Sequence, residues 1–312
     1  MKHAKEKGDF FHRLYLSYIP NGRDNLKQIV IKVFFLISLI TLIVSAAYLT
    51  NYFLSARHQD GIIEDTRSVW HGTETETETE DAPEPSATEL LLRENSDFKG
   101  WITVPNTKID NPIYQTDNND FYLTHNQKKQ KSAYGALFFD YTNLISETET
   151  DKNLVIYGHH MKNGSMFANL TKYKSLRFYK ENPVIEFSTL YKKSTYKVYA
   201  AFVLNASKSD DNGYIYNISR KSFINDGDFN SWVDEARDRS LISTGVDVQN
   251  GDNIITLVTC TYDFDDARFV VMARETREGE DVSVDTAKAA ANPSPRYPKR
   301  WYDDRGIDYP FD

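Results

Sequence analysis

From Val33 to Leu54 the chain carries 22 consecutive residues without a formal charge, dense in Leu, Ile, Val, Phe and Ala. As a helix such a run is about 33 Å long, enough to cross the hydrocarbon core of a bilayer. Charge is distributed unevenly around it. Residues 1–32 hold seven Lys or Arg against three acids, a balance of +4, whereas the whole chain has a net charge of −8, so the residues after Lys32 sum to −12. The positive-inside rule keeps residues 1–32 in the cytoplasm, makes 33–54 a transmembrane anchor and sends the remainder outside, a single-pass type II arrangement. A cleavable signal peptide is the rival, with Ser45-Ala46-Ala47 as its cleavage region. Its apolar core would span only about 7–15 residues, and a buried core helix would need protein on every side.

Residues 55–87 include four Thr-Glu repeats, Thr73–Glu80, followed by Asp81-Ala82-Pro83-Glu84-Pro85. Like charges without an apolar face read as an extended acidic linker that tethers the body of the chain to the anchor. An acidic body with no basic stripe argues against nucleic-acid binding, whose affinity comes largely from phosphate neutralisation.

Residues 88–280 have the pattern of a packed domain. Thr88–Phe98 reads as a short amphipathic helix, and strands are expected over Gly100–Val104, Lys108–Tyr114, Ala136–Asp140, Asn153–Tyr157, Val184–Ser188, Ser194–Leu204, Asn253–Thr259 and Arg268–Ala273. Helices are expected over Ser165–Lys172 and over Asp228–Arg239, where Phe229, Trp232, Val233 and Ala236 share one face. The fold class is mainly β, a closed or nearly closed eight-stranded barrel preceded by one transmembrane helix. Residues 281–312 read as an irregular tail that packs back through Trp301, Tyr302, Tyr309 and Phe311.

The single cysteine, Cys260, forbids an intramolecular disulfide. It ends the β-branched run Ile254–Thr259, and a lone Cys in such a place is commonly plain core. Arg268 opens the next strand, and an antiparallel pairing brings its guanidinium beside the thiol, where a cation favours thiolate and can hold a developing oxyanion. His159 follows another strand in Tyr157-Gly158-His159-His160-Met161. Cys and His from separate elements are the minimum for thiol acyl transfer. A metal is not expected: His159 and His160 are neighbours that point to opposite faces of a strand, and neither a second Cys nor an i, i+4 His pair supports one.

Asn153-Leu154-Val155-Ile156-Tyr157-Gly158-His159, Thr256-Leu257-Val258-Thr259-Cys260 and Arg268 together resemble the sortases, the membrane-bound cysteine transpeptidases of Gram-positive bacteria, and most closely their class B. Gly100-Trp101-Ile102, Asn119-Asp120-Phe121-Tyr122-Leu123, Met161–Leu170 and the helix inserted before the Cys strand carry the same resemblance, which covers about Thr88–Arg274. It implies that Cys260 attacks the carbonyl of a Thr in a C-terminal sorting signal, that His159 handles the proton of the leaving and incoming amines, and that Arg268 steadies the oxyanion with a backbone N–H near Cys260. It places Asn119, Leu123, Tyr157 and Thr259 along the peptide groove. No cofactor is implied. Substrates would be secreted proteins with an Asn-Pro-x-Thr type signal rather than Leu-Pro-x-Thr-Gly, and the acceptor an amine of the cell-wall peptide. Val258 stands where the family often has a hydroxyl residue, His160 where class B members often have Asn, and the tail is longer than the family's compact ending.

Three other readings stay open on the residues alone. The acceptor could be a pilin Lys, water could complete the cycle as in a thiol protease, or the chain could be a membrane-tethered binding module in which Cys260 is core.

Overall fold

The computed structural model describes residues 16–72, 85–207 and 213–311, so the Thr-Glu run and residues 1–15 of the expected cytoplasmic segment lie outside the described residues. Helix α1 spans Leu26–Gly72, and two compact units divide at Gly61 and Ile62. In the first unit Asn25 and Gln28 cap the start of α1 reciprocally, each side-chain oxygen accepting from the other's backbone N–H at 3.0 Å. Leu26, Phe34, Ile40, Leu42 and Val44 are exposed, as expected of a helix long and apolar enough to cross a membrane.

The second unit opens with residues 62–72, still helical. The extended linker expected over 55–87 is therefore a helix as far as Gly72. Ile62, Thr66 and Trp70 recur every fourth residue among charges and make a stripe that packs: Ile62, Ile63 and Thr66 are buried, and Trp70 stacks on Trp101 with centroids 4.9 Å apart. Arg67 Nε donates to the Asp110 carbonyl at 2.7 Å. Helix α2 (Ala87–Glu94) begins with a capping box between Ser86 and Glu89 and stops four residues before the expected Phe98, which instead opens a strand.

Eight strands close the barrel: β1 (Phe98–Thr103), β2 (Asp110–Tyr114), β3 (Leu137–Phe139), β4 (Asn153–Tyr157), β5 (Val184–Thr189), β6 (Lys193–Asn205), β8 (Ile254–Cys260) and β9 (Ala267–Glu275), in the order β1-β2-β3-β4-β8-β9-β6-β5. The two-residue β7 (Ile242–Ser243) stands outside it. Between β2 and β3 sits the short helix α3 (Phe121–Thr124). The helix expected at Ser165–Lys172 is a 3-10 turn, Ala168–Lys174, followed by α4 (Leu176–Glu181). The Lys174-Ser175 junction ends the turn because Ser175 is extended and caps α4 from its side chain.

Residues alternate across each strand, so β8 and β9 have two faces. Ile255, Leu257, Phe269 and Val271 fill the barrel, while Ile254, Val258, Val270 and Met272 lie against α5 (Asp226–Arg239) through Phe229, Trp232, Val233 and Ala236. Both faces being covered explains the unbroken apolar run before Cys260.

The tail is more regular than expected. Its β10 (Ala290–Ala291) pairs with β7, and α6 (Lys299–Asp303) brings Trp301 into a stack with Tyr297, centroids 4.2 Å apart, under the Arg305 guanidinium at 4.1 Å. Tyr297 and Trp301 both pack against the barrel-core cluster. A ring stack contributes about 0.5–1.5 kcal/mol and a cation over a ring about 0.5–1. Trp301→Ala is thus expected to cost about 2 kcal/mol, a fall in melting temperature of roughly 4–8 °C for a domain this size. An unchanged melting curve would mean that the tail lies loose.

Candidate active site

Pairing sets two of the three expected catalytic residues opposite each other and brings the strand before the third alongside. β4 and β8 are parallel neighbours with Tyr157 opposite Val258, and Gly158 N–H extends the ladder to the Val258 carbonyl at 3.1 Å. Continued by two residues, that register sets His159 beside Cys260. On the other side Cys260 pairs directly with Arg268 across the antiparallel β8–β9 ladder. Thr261 N–H donates to Ala267 O at 3.1 Å, so Cys260 and Arg268 form the adjacent non-hydrogen-bonded pair, whose side chains stand closest. Alternation puts Cys260 and Arg268 on the face of Val258 and Val270, outside the barrel, and continuing the β4 alternation past its end at Tyr157 sends His159 to the same side. Each is partly exposed.

Gly158 makes this possible through space rather than through a left-handed turn. A Cβ there would lie 2.3 Å from Leu137 Cδ2 and 2.8 Å from Phe167 Cδ2, inside the barrel. Just beyond, Phe167 N–H donates to the His159 carbonyl at 2.9 Å and closes the intervening loop. The ring of His159 is held by its Nε2, which lies 2.8 Å from the Leu123 carbonyl. A carbonyl only accepts, so Nε2 carries the hydrogen in this bond. Gly135, at φ +59°, backs the ring, since a Cβ there would sit 3.0 Å from His159 Cδ2 and 2.3 Å from the Tyr122 carbonyl.

The other expected groove residues separate. Asn119 and Tyr157 converge on Asp140: Asn119 Nδ2 donates to Asp140 Oδ2 at 3.1 Å and the Tyr157 hydroxyl donates to the same oxygen at 3.0 Å. Leu123 is exposed, and its carbonyl is the partner of His159. Thr259 turns the other way. It is 2% exposed on the barrel-interior side, because neighbours on a strand face oppositely, and its hydroxyl finds no hydrogen-bond partner among the described residues. Its side chain therefore does not share a face with Cys260. The Thr261 N–H, the nearest backbone donor after Cys260, is already engaged by Ala267, and Arg268, opposite Cys260 in the ladder, donates from Nη1 to the same Ala267 carbonyl at 3.2 Å.

Burial raises the pKa of Asp140, but hydrogen bonds from the Thr142 hydroxyl and backbone, Asn119 and Tyr157 outweigh it and hold the carboxyl below its ordinary range. Burial, with the Asp140 charge adding to it, pushes Tyr157 up to about 12, so this phenol stays a donor. A carboxyl depressed in the folded state contributes stability that is whole above its unfolded pKa and is lost as pH falls through the folded one. Asp140→Asn is accordingly expected to flatten the loss of stability in urea titrations taken from about pH 5 down to about pH 2. An acid limb as steep as that of the unmodified protein would contradict the assignment.

The loop joining Cys260 to Arg268 is braced at its start. Asp263 accepts from Thr261 Oγ1 at 2.6 Å and pairs with Lys174, which also reaches Thr261 Oγ1 at 3.0 Å. Sequence reasoning passed over Asp140, Gly135 and the bonding of His160, whose Nδ1 lies 2.9 Å from the Cys260 carbonyl. A signal existed for Asp140, an acid directly after the apolar Leu137-Phe138-Phe139. For the other two the partner is a backbone atom or a ring far along the chain.

The sortase domain family matches residues 102–276, more than half of the chain, and the match takes in His159, Cys260 and Arg268. The chain belongs to the sortases, in class B. Sortase B of Listeria monocytogenes is 32% identical over 222 residues, which cover 70% of this chain and 85% of the relative. The Staphylococcus aureus sortase B–substrate complex superposes with a TM-score of 0.62 at 27% identity, over 72% of this sortase and all of that chain (100%). A mutant form of Clostridium perfringens sortase B gives a TM-score of 0.59 at 32% identity, covering 71% of this sortase and 98% of that chain. As a sortase the protein is a transpeptidase, and its closed eight-stranded barrel is the one those structures share.

Proposed function

We propose that this sortase cleaves a C-terminal sorting signal after Thr through a thioacyl intermediate on Cys260 and transfers the acyl group to an amine of the cell-wall peptide. The observation that carries this reading is the direct Cys260–Arg268 pair on β8 and β9, with the parallel strand β4 beside β8 ending two residues before His159. Cys260 Sγ attacks the Thr carbonyl carbon, and the thiol proton passes to His159 Nδ1, Nε2 being bonded to the Leu123 carbonyl. Arg268 faces the developing oxyanion. Collapse breaks the C–N bond, His159 returns the proton to the leaving amine, and a thioester remains. An incoming amine then attacks the thioester carbon and gives its proton to His159, the C–S bond breaks as the amide forms, and His159 returns that proton to the departing sulfur to regenerate the thiol.

The Asn-Pro-x-Thr type of signal is what the class B resemblance implies, and the S. aureus relative solved with its substrate supports substrate binding at this barrel. The apolar part of α1 with the basic segment before it supports a type II anchor that holds the catalytic domain outside the cell.

Product analysis after incubation with Asn-Pro-x-Thr or Leu-Pro-x-Thr peptides and triglycine tests the reaction. Cleavage after Thr with triglycine joined to the new end is expected, mainly from the Asn-Pro-x-Thr peptide. Only hydrolysed product, or amide formed on a Lys side chain in preference to triglycine, would redirect the acceptor to water or to a pilin. Arg268→Ala is expected to lower kcat about 10²–10³-fold, the range for loss of an oxyanion donor, with a smaller change in KM. A variant defective in KM alone would make Arg268 a substrate-binding group instead.

A further inference from the structure

β8 is held unequally on its two sides at the nucleophile. Towards β9 it is paired at every residue through Cys260–Arg268, and the Thr261 N–H bond to Ala267 continues beyond. Towards β4 the paired residues end at Tyr157–Val258, two positions short of Cys260. The alternation that aims the Val258 carbonyl at Gly158 aims the Cys260 carbonyl at β4 as well. There the imidazole of His160 meets it, Nδ1 to O at 2.9 Å. Since a carbonyl only accepts, Nδ1 carries the hydrogen, and the bond survives protonation of the ring. The ring is partly exposed and lies against Tyr262, centroids 5.0 Å apart. His160 directly follows His159, and its bond holds the carbonyl side of the Cys260–Thr261 peptide whose N–H is bonded to Ala267, so one contact ties the base-bearing segment to the nucleophile-bearing strand where pairing with β4 has stopped.

We propose that His160 is a positioning residue of the transpeptidase, whose Nδ1–H bond to the Cys260 carbonyl sets the placement of His159 relative to Cys260. The inference rests on the reading of those two residues as base and nucleophile. It assigns His160 no proton transfer of its own. What the site needs at this position is a short N–H donor, which Asn supplies and Ala does not. A misplacement of about 1 Å between reacting groups can cost on the order of 10²-fold in rate, so loss of a partial constraint is expected to cost about tenfold or more in kcat, with KM unchanged.

The test compares the full-length wild type, His160→Ala and His160→Asn in detergent, using an Asn-Pro-x-Thr peptide with triglycine and, separately, amide hydrogen exchange over residues 259–262. His160→Ala is expected to exchange faster there and to lose about tenfold or more in kcat at constant KM, with His160→Asn restoring both. Unchanged exchange in His160→Ala overturns the proposal. So does a His160→Asn enzyme as slow as His160→Ala with a displaced pH profile, since the imidazole would then be carrying protons. A wild type that turns over no peptide would sink the transpeptidase reading itself, whereas the exchange measurement still decides whether His160 ties the two strands.

Discussion

Cys260→Ala is expected to abolish acyl transfer while leaving the barrel folded. The thiol ends β8 only partly buried, on the outer face, and makes none of the contacts that fill the barrel interior. Removing one sulfur there forfeits little packing, so melting should move by no more than a few degrees. Activity is another matter, because no second thiol exists to take its place. Turnover in a peptide-cleavage assay should fall to background, a loss of about 10⁴-fold or more when a covalent nucleophile is removed. Retained turnover would place the chemistry elsewhere, whereas a large drop in melting temperature would recast Cys260 as core.

His159→Ala comes next in size, with an expected loss of about 10²–10⁴-fold in kcat, the range for removal of a positioned acid–base group. Its effect should divide between the two half-reactions. Acylation needs a proton delivered to the leaving amine, and deacylation needs one taken from the incoming amine. Rapid mixing with a chromogenic ester in place of the amide separates them, because a phenolate leaves without being protonated whereas an amine leaves only after its nitrogen has gained a proton. The variant should recover much of its acylation rate with the ester yet stay slow in transfer to triglycine. Equal defects with ester and amide would mean that His159 serves chiefly to orient the site. The Nε2 bond to Leu123 predicts in addition that changes to the Phe121–Thr124 helix reach the chemistry through the ring.

The barrel was legible because its strands are short, β-branched and cleanly punctuated. Asn153–Tyr157 matches its expected bounds, and Cys260 and Arg268 fall opposite each other as an antiparallel loop between them requires. The grouping of the three site residues was only partly legible. Sequence can suggest that β8 and β9 pair, but the parallel β4–β8 neighbourhood that brings in His159 joins strands about a hundred residues apart, and no local signal encodes it. Thr259 was misplaced by one residue of alternation: adjacency to Cys260 in sequence means the opposite face in a strand. The helical stretch after the apolar run escaped notice because Ile62, Thr66 and Trp70 form a stripe too narrow to stand out among Asp60, Glu64, Asp65 and Arg67. In the tail, prolines concealed the two-residue β10, which owes its order to pairing with β7, and a single turn of helix, whose Trp301 is held by its stack on Tyr297.

The central claim, an acyl group carried on Cys260 between signal peptide and amine, is tested most directly by intact-mass measurement of the full-length protein during reaction with an Asn-Pro-x-Thr peptide. Without amine, wild-type protein should gain the mass of the peptide up to and including Thr, mapped to Cys260 and absent from Cys260→Ala. Added triglycine should discharge the adduct into a Thr–Gly amide. A folded wild-type protein that acquires no adduct with any sorting peptide, and whose Cys260 also resists alkylation, would contradict the account and return the chain to a membrane-tethered binding module.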